Sequence, residues 1–157
     1  MKLATLCYLK RDDHTLMLYR HREGDYHRGK WNGLGGKLEP GESPEDCVRR
    51  EVKEESGLEV KVMRLKGVIT FPLFDGLDDW YVFVYTVPGF GGEMVHSLEG
   101  ALRWIPDDRL LELNLWPGDR IFLPWLGAGR FFSAKFTYEE GRLVDHEVSF
   151  YPPNGYG

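Results

Sequence analysis

The sequence is poor in cysteine, with Cys7 and Cys47 its only two among 157 residues. One isolated pair builds neither a disulfide framework nor a thiolate metal cage, so both are expected as buried or half-buried thiols. Long hydrophobic runs are absent. Nothing approaches the roughly 18 consecutive apolar residues of a membrane span, and no membrane partner is expected. The opening Met1-Lys2-Leu3-Ala4-Thr5 lacks a secretory core, which makes a cytoplasmic address the expectation. A basic excess is also missing: 20 Lys and Arg stand against 25 Asp and Glu, for a net charge of -5. That argues against stable nucleic-acid binding. It does not argue against a nucleotide, because a divalent cation bridges acidic protein to anionic phosphate. The five histidines show no His-x-x-x-His spacing and read as ordinary. Internal repeats and low-complexity linkers are absent.

What is present is an ordinary globular composition, 42% hydrophobic and 29% charged. The length suits one domain, expected over residues 1–150, with 151–157 as a flexible Pro/Gly-rich tail. Leu3 to Leu9 and Thr15 to Tyr19 read as a hairpin, followed by a polar loop from Arg20 to Lys30. Trp31 to Gly36 is a short extended stretch dense in glycine. Ser43 and Pro44 suit the cap and first position of a helix, Asp46 approximates a capping box, and Gly57 suits its end. Glu59 to Phe71 reads as a strand. Trp80 to Val87, apolar on both faces, reads as a central strand broken by Pro88. A short strand is expected at Leu102 to Ile105. Two helices are then expected, one from Pro106 to Leu113 and one after Pro117 with Asp119 to Leu126 as its body, where Pro124 is a residue that kinks or ends a helix. Arg130 to Tyr138 and Arg142 to Phe150 form a closing hairpin. Strands and helices mix without a regular βαβ repeat, which predicts an α+β or mixed-sheet fold.

The densest chemistry lies on the helix ending at Gly57. Glu51, Glu54 and Glu55 are three and four residues apart and share one face. Like charges at that spacing repel by a few tenths of a kcal/mol per pair, roughly. A divalent cation gives the cluster a reason, since Mg²⁺ prefers carboxylate oxygens and is often completed by substrate phosphates. A solvated surface helix is the plainer alternative. Val48 and Val52 lie beside the acidic stripe and press the helix onto a sheet, while Arg50 reaches back to hold a carboxylate. Gly35 and Gly36 permit close backbone approach, and a carbonyl there is a candidate metal ligand.

The full string resembles the signature of the Nudix hydrolases. It is matched at Gly36, Glu42, Arg50, Glu51, Val52, Glu54, Glu55, Gly57 and Leu58, at the family's spacing. The resemblance implies the Nudix fold, an α/β/α sandwich with a mixed β-sheet. It implies Mg²⁺ (Mn²⁺ as a substitute) held by Glu51, Glu54 and Glu55, with Gly36 as a further ligand. One of these acids, or one outside the box, would help deprotonate water. Arg50 would orient a glutamate, and Glu42 would serve the loop and the outer metal shell. The implied reaction is attack of water on a phosphorus of a nucleoside diphosphate derivative.

Outside this box the chain is similar to the oxidised-purine nucleoside triphosphatase branch of the family, the 8-oxo-dGTP diphosphatases. The carrying residues are Trp31-Asn32-Gly33-Leu34-Gly35-Gly36-Lys37, Ser97-Leu98-Glu99 and Leu115-Trp116-Pro117-Gly118-Asp119. By that resemblance Asn32 would read the purine edge, Trp116 would stack on the base and Asp119 would hydrogen-bond it. Glu99 would be an additional metal ligand or base. Among the basic residues, Arg22 and Lys37 are expected at the substrate, with Arg20, His21 and Lys30 nearby. Plainer readings stand beside these: Trp116 as a core aromatic, Asn32 as a turn former, Asp119 as a first-turn helix acid. The branch carries two consecutive acids after Trp-Pro, whereas here the first is Gly118. One base contact is therefore missing, which leaves oxidised guanine, oxidised adenine and unmodified purines open. Dinucleoside polyphosphates, nucleotide sugars and a non-catalytic nucleotide-binding module are the remaining alternatives, in a monomer or homodimer.

Overall fold

The computed structural model describes residues 1–95 and 100–153. Strand β1 (Lys2–Arg11) turns into β2 (His14–Arg20) through Asp12 and Asp13, whose φ values of 50° and 59° are the positive pair a two-residue hairpin turn demands. The expected hairpin forms, but the strands stay paired only at Lys10–Thr15 and Arg11–His14. Beyond that they part. β2 pairs with β3 (Trp31–Asn32) and with β6 (Gly100–Pro106). β1 runs parallel to β5 (Trp80–Gly91), which lies antiparallel to β4 (Glu59–Phe71). β4 runs parallel to β7 (Phe131–Glu139), and β8 (Arg142–Tyr151) closes the edge. The sheet is thus mixed, with β5 in its interior as its two-sided apolar pattern requires.

The gap between the parted strands is filled by the glycine-rich segment 34–38. Cys7 N–H and Thr5 N–H donate to the carbonyls of Leu34 (2.6 Å) and Gly36 (2.9 Å), and Leu38 N–H donates to Leu3 O (3.0 Å). This wedge brings the glycines against β1 and under helix α1 (Pro44–Ser56). That helix begins and ends as its sequence dictates. Ser43 and Asp46 exchange side-chain-to-backbone hydrogen bonds at 3.0 and 3.1 Å, and Gly57, at φ 80°, donates to Lys53 O.

Alternation along the strands loads both faces of the sheet. Cys7, Leu9, Leu16 and Leu18 pack under Val48 and Val52 of α1, while Tyr8 and Met17 join Phe122, Phe132 and Phe136 on the other side. Burying a valine or leucine fully contributes about 1.5–3 kcal/mol each, so the packing of Val48 and Val52, rather than helix propensity, holds α1 in place. Both cysteines are buried and free.

Four expectations about elements are corrected. β5 continues through Pro88 to Gly91 because the proline sits at a bulge: Val62 faces Gly89 and Arg64 faces Thr86, so Met63 opposes two residues and no ladder donor is needed from Pro88. The segment after Pro106 is a 3₁₀ turn, Asp107–Glu112, not an α-helix. The next helix, α2 (Pro117–Phe122), is α-helical for six residues only and passes into a 3₁₀ turn, Leu123–Gly127, where Pro124 withholds a donor. Tyr151, expected in the tail, pairs with Phe131.

Candidate active site

The three acids of α1 differ sharply in surroundings. Glu55 is 4% exposed and its Oε1 accepts the Gly35 N–H at 2.8 Å. The Glu51 side chain is 16% exposed and that of Glu54 60%. Arg50 ties the group together. Its Nε and Nη2 form a two-pronged pair with Glu42 at 2.7 and 2.9 Å, while Nη1 reaches Glu51 at 2.8 Å and Glu54 at 3.3 Å. Nη2 also donates to Lys37 O at 3.1 Å. The Arg50 fork, helped by the Glu39 N–H, lowers the Glu42 carboxyl to about 2. The Arg50 guanidinium therefore offsets repulsion between Glu42, Glu51 and Glu54.

The glycines are needed for this approach. A Cβ on Gly35, at φ +136°, would fall 2.1 Å from Thr5 O, and one on Gly36 would fall 2.6 Å from a Glu51 carboxylate oxygen. Only hydrogen at 36 lets Glu51 lie against the backbone there. The Gly36 carbonyl accepts the Thr5 N–H at 2.9 Å and the Cys47 thiol at 3.4 Å.

From this edge opens a cavity of about 500 Å³. Gly35, Gly36, Lys37 and Glu51 line one part of it. Asn32, Trp116, Asp119 and Tyr138, with Tyr26 and Phe74, are among its other lining residues. Asn32 is 8% exposed and its Nδ2 has no hydrogen-bond partner among the described residues. Asp119 lies in the first turn of α2, where Pro117 and the Trp116 carbonyl place it. Burial pushes its carboxyl up to about 7, against an opposing pull from Lys30. Trp116 is nearly buried, touches Tyr26, His27, Phe74 and Tyr138, and carries the Lys30 ammonium over its ring at 5.2 Å.

Of the expected residues, the cavity therefore gathers Asn32, Gly36, Lys37, Glu51, Trp116 and Asp119. Arg50, Glu54 and Glu55 stand behind or beside it. Arg22 does not line this cavity but a second depression, with Glu23, Gly24 and Asp25, and Arg20 lines both. β2 ends at Arg20, so that residue still has strand geometry aimed at the site, whereas Arg22 is already in the loop. Glu99 lies outside the described residues. Tyr26, His27, Phe74 and Tyr138 were not anticipated. Three stand in loops or at a turn, and Tyr138 lies far along the chain on β7. His27, which sequence order gave no particular role, accepts the Trp116 indole N–H on its Nδ1 at 2.8 Å.

The family model for the NUDIX domain matches residues 1–126. An uncharacterized Nudix hydrolase of Bacillus subtilis, YvcI, is 36% identical over 88% of this chain and 87% of its own length. The oxidized purine nucleoside triphosphate hydrolase of Danio rerio is 29% identical, covering 94% of both chains. The crystal structure of a mutator MutT protein from Bacillus halodurans superposes with a TM-score of 0.84 at 34% identity, over 94% of this chain and 97% of that one. With the expected α+β mixed-sheet architecture now observed and the family box assembled around one guanidinium, the chain belongs to the Nudix hydrolase family and is a hydrolase of pyrophosphate bonds.

Proposed function

We propose that the protein hydrolyses purine nucleoside triphosphates, oxidised purines such as 8-oxo-dGTP among them, to the monophosphate and pyrophosphate, with Mg²⁺. The observation that carries this reading is continuity: one cavity has Glu51 and Gly36 along one part and Asn32, Trp116 and Asp119 along another. A flat, hydrogen-bonding base suits the aromatic part, and an anionic chain suits the part near the acids. The names of relatives at 29–30% identity from Danio rerio and Mus musculus, both oxidized purine nucleoside triphosphate hydrolases, agree with it.

The donor set fits a hard cation. Among the described residues no three His, Cys, Asp or Glu side chains converge as a closed cage. Mg²⁺ does not require one, because it keeps waters and takes substrate phosphate oxygens alongside one or two carboxylates. Glu51, held against the Gly36 backbone, supplies a carboxylate next to a carbonyl, and Glu54 and Glu55 follow on the same helix. An ion held by these carboxylates would supply positive charge toward phosphate oxygens and would lower the pKa of water beside it. The chain does the rest. Arg50 fixes Glu51 and Glu54, leaving Glu54, the most exposed acid, to accept the proton of the attacking water. A base so placed contributes roughly 10²–10⁴-fold. Arg20 and Lys37 offset phosphate charge, Trp116 packs on the base, and Asn32 and Asp119 meet its edge.

The test is pyrophosphate release from a panel of purine triphosphates, oxidised and unmodified, with and without Mg²⁺, for wild type beside Glu54→Gln and Glu55→Gln. Metal-dependent turnover of purine triphosphates that falls at least a hundredfold in Glu54→Gln is the expected result. Failure of the wild type to turn over any triphosphate sinks the reading, and a strong preference for dinucleoside polyphosphates or nucleotide sugars redirects it.

A further inference from the structure

The first position after Trp116-Pro117 carries no side chain, and the structure gives the reason. A Cβ on Gly118 would stand 2.8 Å from the Tyr138 hydroxyl and 3.0 Å from the Phe136 ring. The space is taken. The Tyr138 hydroxyl accepts the Gly118 N–H at 2.7 Å, a bond between α2 and β7 that fixes both the hydroxyl and the backbone next to Asp119. Tyr138 is 7% exposed, lines the cavity, and packs edge-on against Trp116 (5.7 Å between ring centroids) and Phe74 (5.3 Å).

A phenol has one proton to give as well as lone pairs to receive. Tyr138 uses its acceptor side on Gly118, and no acceptor for its own proton is found among the described residues. Asn32 Nδ2 is likewise without an acceptor on the same cavity. A buried donor left unmet loses its bond to water and gains nothing in return. Two such donors on one aromatic cavity, beside a carboxyl, are a matched set waiting for a ligand edge that carries acceptors.

Resting on the function proposed above, we infer that Tyr138 is a specificity-determining residue. Its hydroxyl, anchored by the Gly118 N–H, donates to an acceptor on the edge of the purine base, a carbonyl oxygen or an unprotonated ring nitrogen. It does from β7 what a side chain at position 118 has no room to do. Burial, opposed by the Gly118 N–H and helped by the neighbouring Asp119 carboxyl, holds the phenol above its ordinary pKa, so it remains a donor across the working pH range. The pocket thus reads the base with a fixed neutral donor, an amide and one carboxyl. Sites that hydrogen-bond a ligand discriminate against analogues that lack the partner atom, because the protein group is then stranded.

The experiment measures kcat and KM for dGTP, 8-oxo-dGTP, dATP, 2-hydroxy-dATP and dTTP with wild type, Tyr138→Phe and Gly118→Ala, and the melting temperature of each. Tyr138→Phe keeps the ring and removes only the hydroxyl. The expected result is a loss of about tenfold in kcat/KM for the best wild-type substrate, carried by KM, with a smaller loss for poor substrates, so that the spread among bases contracts. Gly118→Ala, whose methyl group pushes on the same hydroxyl, is expected to contract it in the same direction. A purely structural bond would lower the melting temperature and scale all substrates alike. Unchanged base ranking in folded Tyr138→Phe with an active wild type overturns this assignment alone. A wild type inactive on every triphosphate overturns the function and this inference with it.

Discussion

Asp119 is the residue whose charge state matters most. Its carboxyl, raised by burial to about 7, is neutral in the folded protein over a range where the unfolded chain ionises it. The folded state therefore holds the proton more tightly. Its stabilising contribution is complete below the unfolded value of about 3.9 and is lost as pH rises toward 7, at most about 4 kcal/mol by roughly 1.4 kcal/mol per pKa unit. Asp119→Asn is expected to gain stability over wild type at pH 8 and show little difference at pH 4, read by urea unfolding at each pH. An equal effect at both values would mean that the carboxyl is not neutral when folded. At Gly36 the constraint is steric. Gly36→Ala places a methyl against the Glu51 carboxylate at 2.6 Å and is expected to lower kcat at least a hundredfold with the fold retained. Gly35→Ala, blocked by backbone at 2.1 Å, should lose the fold. Circular dichroism beside turnover separates the two outcomes.

At the scale of elements, the acids are placed by how α1 starts and stops. Ser43 and Asp46 close a reciprocal cap at its N-terminus, and Ser43→Ala is expected to cost about 1 kcal/mol, seen as a lower urea midpoint with kcat intact. A second device joins loops. His27, from the β2–β3 loop, accepts the indole proton of Trp116 at the start of α2. Burial chiefly, with Arg20, lowers the His27 pKa, and Asp25 opposes them. The neutral ring is favoured in the folded state, so this contribution is present above the ordinary value of about 6.5 and is lost as pH falls toward the lower folded value. Protonation would set an N–H against the indole N–H. The KM for a purine triphosphate is therefore expected to rise between pH 7 and 5, and to rise less in His27→Gln. Identical profiles for both proteins would remove His27 from the account.

For the whole molecule, the fold rests on two apolar clusters, one on either face of the sheet, and neither includes Glu51, Glu54 or Glu55. Chelation is accordingly expected to abolish turnover while leaving the unfolding midpoint nearly unchanged, with Mg²⁺ restoring the rate. A large loss of midpoint on chelation would make the metal structural. Among the described residues, no helix is long and apolar enough to cross a membrane.

Local physics made much of this legible from residue order. Helix α1 needed only a capping serine, a proline at its first position, acids at three- and four-residue spacing, and a glycine able to take positive φ. All of those act within a few residues, so their outcome is written in the string. The corrections share the opposite property. Pro88 is tolerated because Met63, on another strand, stands opposite two residues, and the α2 helix stops where a proline meets a packed turn. Arg20 rather than Arg22 reaches the cavity because strand geometry ends between them. The acidic stripe, the glycine pair and the helix that carries them were set by sequence alone. That Glu51 faces a cavity shared with Trp116 and Asp119, that Tyr138 fills the space beside Gly118, and that His27 grips an indole were decided only by the tertiary fold, because a contact between distant segments depends on how the sheet brings them together and on what volume is left between them.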